Sequence, residues 1–291
     1  MLSPSSATAD WLWQSGSHGD RVAHRPLAEC PAPLDFAFLP PDLSLSGALA
    51  LVVLSFVTSL ITATLSLGGG MLMLAVLALV FPPAVVVPVH GLVQLGSNAG
   101  RALVQHRYVQ WQLVLWFGLG TLVGSFLGAR FAVALPEALF QAVIGVFIIF
   151  NAWAPQPRVS GRGPLGNFVG GVVISALGMV IGATGPLVAN FMRGLSDRHE
   201  LVATHAALMT WSNSAKVGAF ALFGFAFGAY LPLAAAMIAT GFLGTYMGSQ
   251  ALARVPETVF RVGFKLVLTL AALQILWSAA SALPWATLTK F

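Results

Sequence analysis

The chain has 291 residues, 57% of them hydrophobic and 8% charged. A soluble domain carries about 25% charged residues, so a water-soluble fold is excluded and an all-α polytopic membrane protein is expected. The net charge of +5 comes from basic residues scattered beside apolar runs, which reads as topology determination and not nucleic-acid binding. The single cysteine, Cys30, excludes an intrachain disulfide and paired-thiol chemistry.

Residues 1–43 are polar and rich in proline. No apolar run follows a basic start, so a cleavable signal peptide is not expected; a poorly ordered tail is. Residues 45–67 then form the first predicted span, running into Gly68-Gly69-Gly70. A short apolar piece, 71–81, stops at Pro82-Pro83, and predicted spans follow over 84–104, 111–134 and 136–153. A linker over 154–164 carries Pro155, Pro157, Arg158 and Arg162 and separates two halves. The second half repeats the order: 165–181, the break Gly182-Ala183-Thr184-Gly185, a short piece 186–192, a charged loop 193–200, then 201–225, 230–252 and 256–282.

The repeat is clearest in two polar stripes. His90 matches His205, Ser97-Asn98 matches Ser212-Asn213, and Arg101 matches Lys216, each pair 205 − 90 = 115 residues apart. On a helix at about 100° per residue, offsets of 7, 8 and 11 from the histidine fall on one face. Gln94 joins that face in the first copy, where the second has Met209. Further on, Gly124 and Gly128 match Gly244 and Gly248, small-xxx-small pairs that let helices approach closely. The expected organisation is a tail (1–43), a first transmembrane repeat (44–153), the linker (154–164), a second repeat (165–283) and a C-terminal tail (284–291), each repeat having about five helical segments with a glycine-broken first helix and a short half-helix. With that count the basic loops near Arg107, Arg158, Arg193 and Arg254 share one side, and equivalent loops differ in charge character, as two inverted repeats require. A parallel four-plus-four arrangement mixes the basic loops and ranks second.

The breaks point to a site, because unwound backbone at membrane depth is tolerated where protein or a cavity satisfies it. A helix restarting after Gly68, Gly69 and Gly70, or after Gly182, Thr184 and Gly185, offers free N–H groups to an anion. Close helix packing is the alternative use of those glycines. A cation inside a span costs roughly 2.5–3.5 kcal/mol, so Arg101 and Lys216 call for a cavity or partner. Arg101 lies near its segment's end and can equally snorkel to the surface; Lys216 is deeper and is expected to face substrate. Ser97, Asn98, Ser212 and Asn213 are donors for a ligand or glue between helices. His90 and His205 are either packing hydrogen-bonders or, as a pair, candidates for proton coupling. The asymmetry of the stripes places the expected substrate nearer the second copy.

No nucleotide-binding loop, metal-spaced Cys/His cluster or nucleophile–base set is present, and no carboxylate lies deep in a span. A cofactor, a metal and enzymatic activity are therefore not expected; a donor-rich cationic site suits an anion.

The helix running into Gly68-Gly69-Gly70, the Pro82-Pro83 segment, the Ser/Asn-bearing helix and the duplicated second half resemble the TauE/SafE family of sulfite exporters and toluene-sulfonate permeases over about residues 45–282. That resemblance implies a multi-pass secondary carrier of sulfur-containing anions such as sulfite or sulfonates, in a bacterial inner membrane. Its expected partners are a small anionic solute and the bilayer, with a homo-oligomer admitted and nucleic acid not. Alternating access between the repeats is the expected mechanism. A proton- or cation-linked carrier of another solute and a non-transporting membrane assembly subunit are the alternatives.

Overall fold

The computed structural model describes residue 40 and residues 43–65, 69–154, 163–192, 194–195, 197–251 and 257–282. The N-terminal tail, Gly68 of the first break, most of the linker and the C-terminal tail lie outside the described residues.

The described residues form α-helices without strands. The first half supplies α1 (Leu45–Leu65), α2 (Gly69–Val80), α3 (Pro83–Val104), α4 (Trp111–Ala134) and α5 (Glu137–Trp153). The second supplies α6 (Gly163–Ile181), α7 (Gly185–Phe191), α8 (Arg198–Leu222), α9 (Leu231–Ala251) and α10 (Glu257–Ser281). Local chemistry sets several ends. Pro83 opens α3, where its missing N–H is no loss. α8 begins earlier than expected because Asp197 caps it, accepting from the N–H groups of His199 at 2.7 Å and Glu200 at 3.0 Å. Those two bonds hold the Asp197 carboxyl below its usual pKa. α8 also ends earlier, at Leu222, because Gly224 turns left-handed (φ +89°); Gly182 (φ +87°) ends α6 likewise.

Among the described residues, four helices are long and apolar enough to cross a membrane: α1, α4, α6 and α9. They pair across the halves, α1 on α9 and α4 on α6. Glycines permit the contact. A Cβ on Gly120, Gly124 or Gly128 would strike the backbone of Phe168, Val172 or Ala176, and one on Gly244 would strike the carbonyl of Phe56. Leu115, Leu119, Leu122, Phe126 and Phe131 of α4 stay exposed, an apolar face suited to lipid.

The stripe-bearing helices α3 and α8 pack on each other, as do α5 and α10. Tyr108, just past α3, meets His199 at the start of α8, with ring centroids 5.2 Å apart. Phe81, just before α3, meets Tyr230, past the end of α8, at 5.9 Å. α3 and α8 therefore run antiparallel. The halves are interleaved, each half's first and fourth helices packing on the other half, and the described helices form one compact unit.

Candidate binding site between the helix breaks

The two histidines of the stripes make the same contact. His90 Nε2 lies 2.9 Å from the Gly70 carbonyl and His205 Nε2 lies 3.0 Å from the Gly185 carbonyl, both across 20 residues. A carbonyl only accepts, so each Nε2 carries the proton and donates. Each histidine thus fixes the start of a short helix (α2 or α7) to the third helix of its own half. The bonds at Gly70 and Gly185 use their carbonyls, and α7 is a seven-residue helix.

A cavity of about 40 Å³ lies between the breaks. Its polar wall is His90, Gln94, Asn98, Arg101, Thr62 and His205, with Gly70 and Gly185 at the breaks. A second chamber of about 30 Å³ adjoins it, sharing Thr62, Gly70, Gln94 and Arg101, and adding Gly69, Ser97 and Ser59 among others. Arg101 is the charged side chain in both walls. Its Nη2 donates to Asn98 Oδ1 at 3.0 Å, and Asn98 Nδ2 donates to the Gln94 carbonyl at 2.7 Å. Asn98 is thus held by its own helix and steadies the guanidinium with one bond, leaving further N–H groups for the cavity. None of the described carboxylates lines either space. Gly70 lies against this wall, where an added Cβ would displace the Gln94 amide.

The second copy is organised differently. Lys216 is 3% exposed, lines neither cavity, and donates from Nζ to the Gly182 carbonyl at 2.6 Å. Its stem lies against Gly91, where a Cβ would approach Lys216 Cδ to 2.8 Å. The ammonium is thus a tie between α8 and the break after α6. Thr184 is buried, points Oγ1 at Met209 Sδ (3.9 Å) and packs its methyl where Gly178 lacks a side chain. Ser212 and Asn213 are buried and away from both cavities; both polar atoms of the Asn213 amide lack a partner. The polar cavities lie against the first copy's stripe, and the stripe cation that lines them is Arg101 and not Lys216. The reason is side-chain filling, which a helical stripe does not reveal.

One feature of the site escaped the sequence reading. Ser55, Thr58, Ser59 and Thr62 of α1 face the second chamber. Their spacing of i, i+3, i+4 and i+7 inside an apolar span was the available signal. Among the described residues, no group of three or more His, Cys, Asp or Glu is placed to hold a metal ion.

No curated protein and no solved structure matches the chain. A family model does, that of the sulfite exporter TauE/SafE family, over residues 51–275, which spans both breaks, both stripes and the cavities between them. The chain therefore belongs to the sulfite exporter TauE/SafE family, a family of membrane transporters and not of enzymes.

Proposed function

We propose that the protein is a secondary carrier moving a small sulfur oxyanion, sulfite or a small sulfonate, and binding it in the cavity between the two breaks. One observation carries the reading: the Arg101 guanidinium faces a partly open space between the breaks, in whose wall none of the described carboxylates lies. Retaining an unpaired cation within a span costs roughly 2.5–3.5 kcal/mol, a cost that a bound anion offsets. Gln94 and Asn98 supply amide groups that orient the charge and contact the solute. A space of about 40 Å³ suits an anion of a few heavy atoms and not an aromatic sulfonate.

Alternating access follows as the mechanism of this reading. The antiparallel course of α3 and α8 is what inverted halves require, and each histidine bond lets a break move with its own stripe helix. The basic loops would face the cytoplasm of a bacterial cell, and the solute and the bilayer would be the partners. The test is radiolabelled sulfite flux into proteoliposomes. Arg101→Gln is expected to lower flux and sulfite-induced thermal stabilisation about 10- to 100-fold in effective affinity, the value of lost hydrogen bonds to a charged group. Unchanged flux in the folded variant would remove the anion site from this cavity.

A further inference from the structure

A larger space at the other end of the bundle has the opposite chemistry to the Arg101 cavities. It measures about 340 Å³, and its wall is apolar and aromatic, with Phe140, Phe220, Phe223 and Phe225. Among the described residues of that wall, Glu137 is the charged one. Ala84 in this wall and Arg101 in the others are 101 − 84 = 17 residues apart on α3, about 25 Å at the rise of a helix, so the spaces are separate. Helix ends meet here: Pro82 precedes α3, Leu135 follows α4, Glu137 opens α5 and Gly224 lies past α8. In a membrane-spanning bundle such ends lie where hydrocarbon gives way to headgroups. The volume is that of a small-molecule pocket, and a carboxylate in the wall repels the anions that Arg101 attracts.

The adjoining face of α4 carries the complementary charge. Leu119, Val123, Phe126, Arg130 and Val133 recur at i, i+4, i+7, i+11 and i+14, and all are exposed, so they share one outward face. Val133 also lines the cavity, and Phe126 meets the cavity-lining Phe223 with ring centroids 5.7 Å apart, so that face leads into the space. Arg130 lies one turn from Val133 and four residues from the end of α4, roughly 6 Å along the axis. From there a guanidinium on a flexible stem reaches headgroup level. Among the described residues, neither Arg130 nor Glu137 has an ion-pair partner. The dipole at the start of α5 explains an acid at 137, and the repeat keeps one at Glu257. Neither explains an arginine on a lipid-facing stripe, since the matching residue of the second copy (130 + 120 = 250) is Gln250.

We propose that this cavity holds one acyl chain of a zwitterionic phospholipid, whose phosphate pairs with Arg130 and whose ammonium pairs with Glu137. Such a lipid supplies an anion, a cation and an apolar chain together, which is what this wall and this face lack. An anionic phospholipid would satisfy Arg130 but meet repulsion at Glu137. A headgroup without chains would leave the phenyl-lined space unfilled. The site is independent of the carrier reading above.

The experiment is thermal unfolding of the purified full chain in detergent, titrated with phosphatidylethanolamine, with phosphatidylglycerol of the same acyl chains, and with phosphoethanolamine as the chainless headgroup. Phosphatidylethanolamine is expected to raise the midpoint at about tenfold lower concentration than phosphatidylglycerol, the value of hydrogen bonds to a charged group, and phosphoethanolamine is expected to leave it unchanged. Glu137→Gln keeps the shape of an exposed side chain and should erase the preference, weakening phosphatidylethanolamine about tenfold and phosphatidylglycerol not at all. Arg130→Gln should weaken both lipids alike, and reads the phosphate contact independently of the first variant. An equal response to the two lipids in the wild type, or a preference that survives Glu137→Gln, overturns the proposal. So does a shift by phosphoethanolamine as large as that of the lipid, because the apolar cavity would then play no part.

Discussion

In the first copy of the repeat, a guanidinium, two amides and a row of hydroxyls surround open space; in the second, the same positions are occupied by side chains that pack against one another. Gln94 corresponds to Met209, Thr58 to Ile174 and Arg101 to Lys216. Volume is exchanged reciprocally as well. Ile238 of α9 packs against Gly96 of α3, whereas Trp211 of α8 packs against Gly118 of α4 and donates to its carbonyl at 2.9 Å. What the two copies share is the frame: the histidine-to-carbonyl bonds and the first-on-fourth helix pairing. A duplicated frame thus keeps its backbone contacts while the first copy supplies most of the polar groups in the cavity between the breaks.

The largest expected effect separates the two cations. Arg101→Gln should abolish most anion response while the protein stays folded, because that charge faces a cavity. Lys216→Met should do the reverse. It keeps the stem on Gly91 but leaves the Gly182 carbonyl unpaired, costing about 1–3 kcal/mol of stability with the sulfite-induced shift intact. Sulfite titrations and unfolding curves on both variants read this directly, and equal behaviour would dissolve the distinction.

The frame predicts equality where the site predicts difference. Gly124→Ala and Gly244→Ala each drive a Cβ into backbone of the opposite half, and each should destabilise by about 1–3 kcal/mol. A large effect at one glycine and none at the other, in detergent unfolding, would show that the pairings are not equivalent. Next in size is Gln94→Met, which gives the first copy the second copy's residue; sulfite affinity should drop about 2- to 10-fold, the value of one neutral hydrogen bond. The reciprocal Met209→Gln is the sharper control, since Met209 also borders the cavity: a gain in sulfite affinity there would mean that the second copy's wall can be recruited.

The smallest effect concerns helix starts. α8 is capped by an ionised Asp197 and α3 by no side chain, so only α8 should respond to acid. The folded pKa of Asp197 is depressed, so its contribution is complete above the unfolded value and is lost as pH falls through the folded one, below about 4. Protection of the His199 and Glu200 amides, taken relative to their intrinsic exchange rates at the same pH, should fall there in the wild type and be low at every pH in Asp197→Ala. Protection unaltered by the substitution would remove the cap.

Much of the helical layout was legible in the chain, because prolines and glycines punctuate long apolar runs. The expected 111–134 span and Trp111–Ala134 coincide, and most other bounds shift by a residue or two. The stripes were legible too, since histidine, Ser-Asn and a cation recur at a fixed spacing. The reach of each side chain was not. Lys216 looked the better ligand because it sits deeper in its span, yet depth along one helix does not say whether the ammonium meets a cavity or the carbonyl of a neighbouring break.

The sequence by itself determined a membrane-embedded, duplicated, carboxylate-free helical core with two cations at matched places, since composition and periodicity are properties of the chain alone. Only the tertiary structure decided which cation has space before it. That depends on how residues of α1, α2, α3 and α9 meet around Arg101, whereas Lys216 reaches the Gly182 carbonyl.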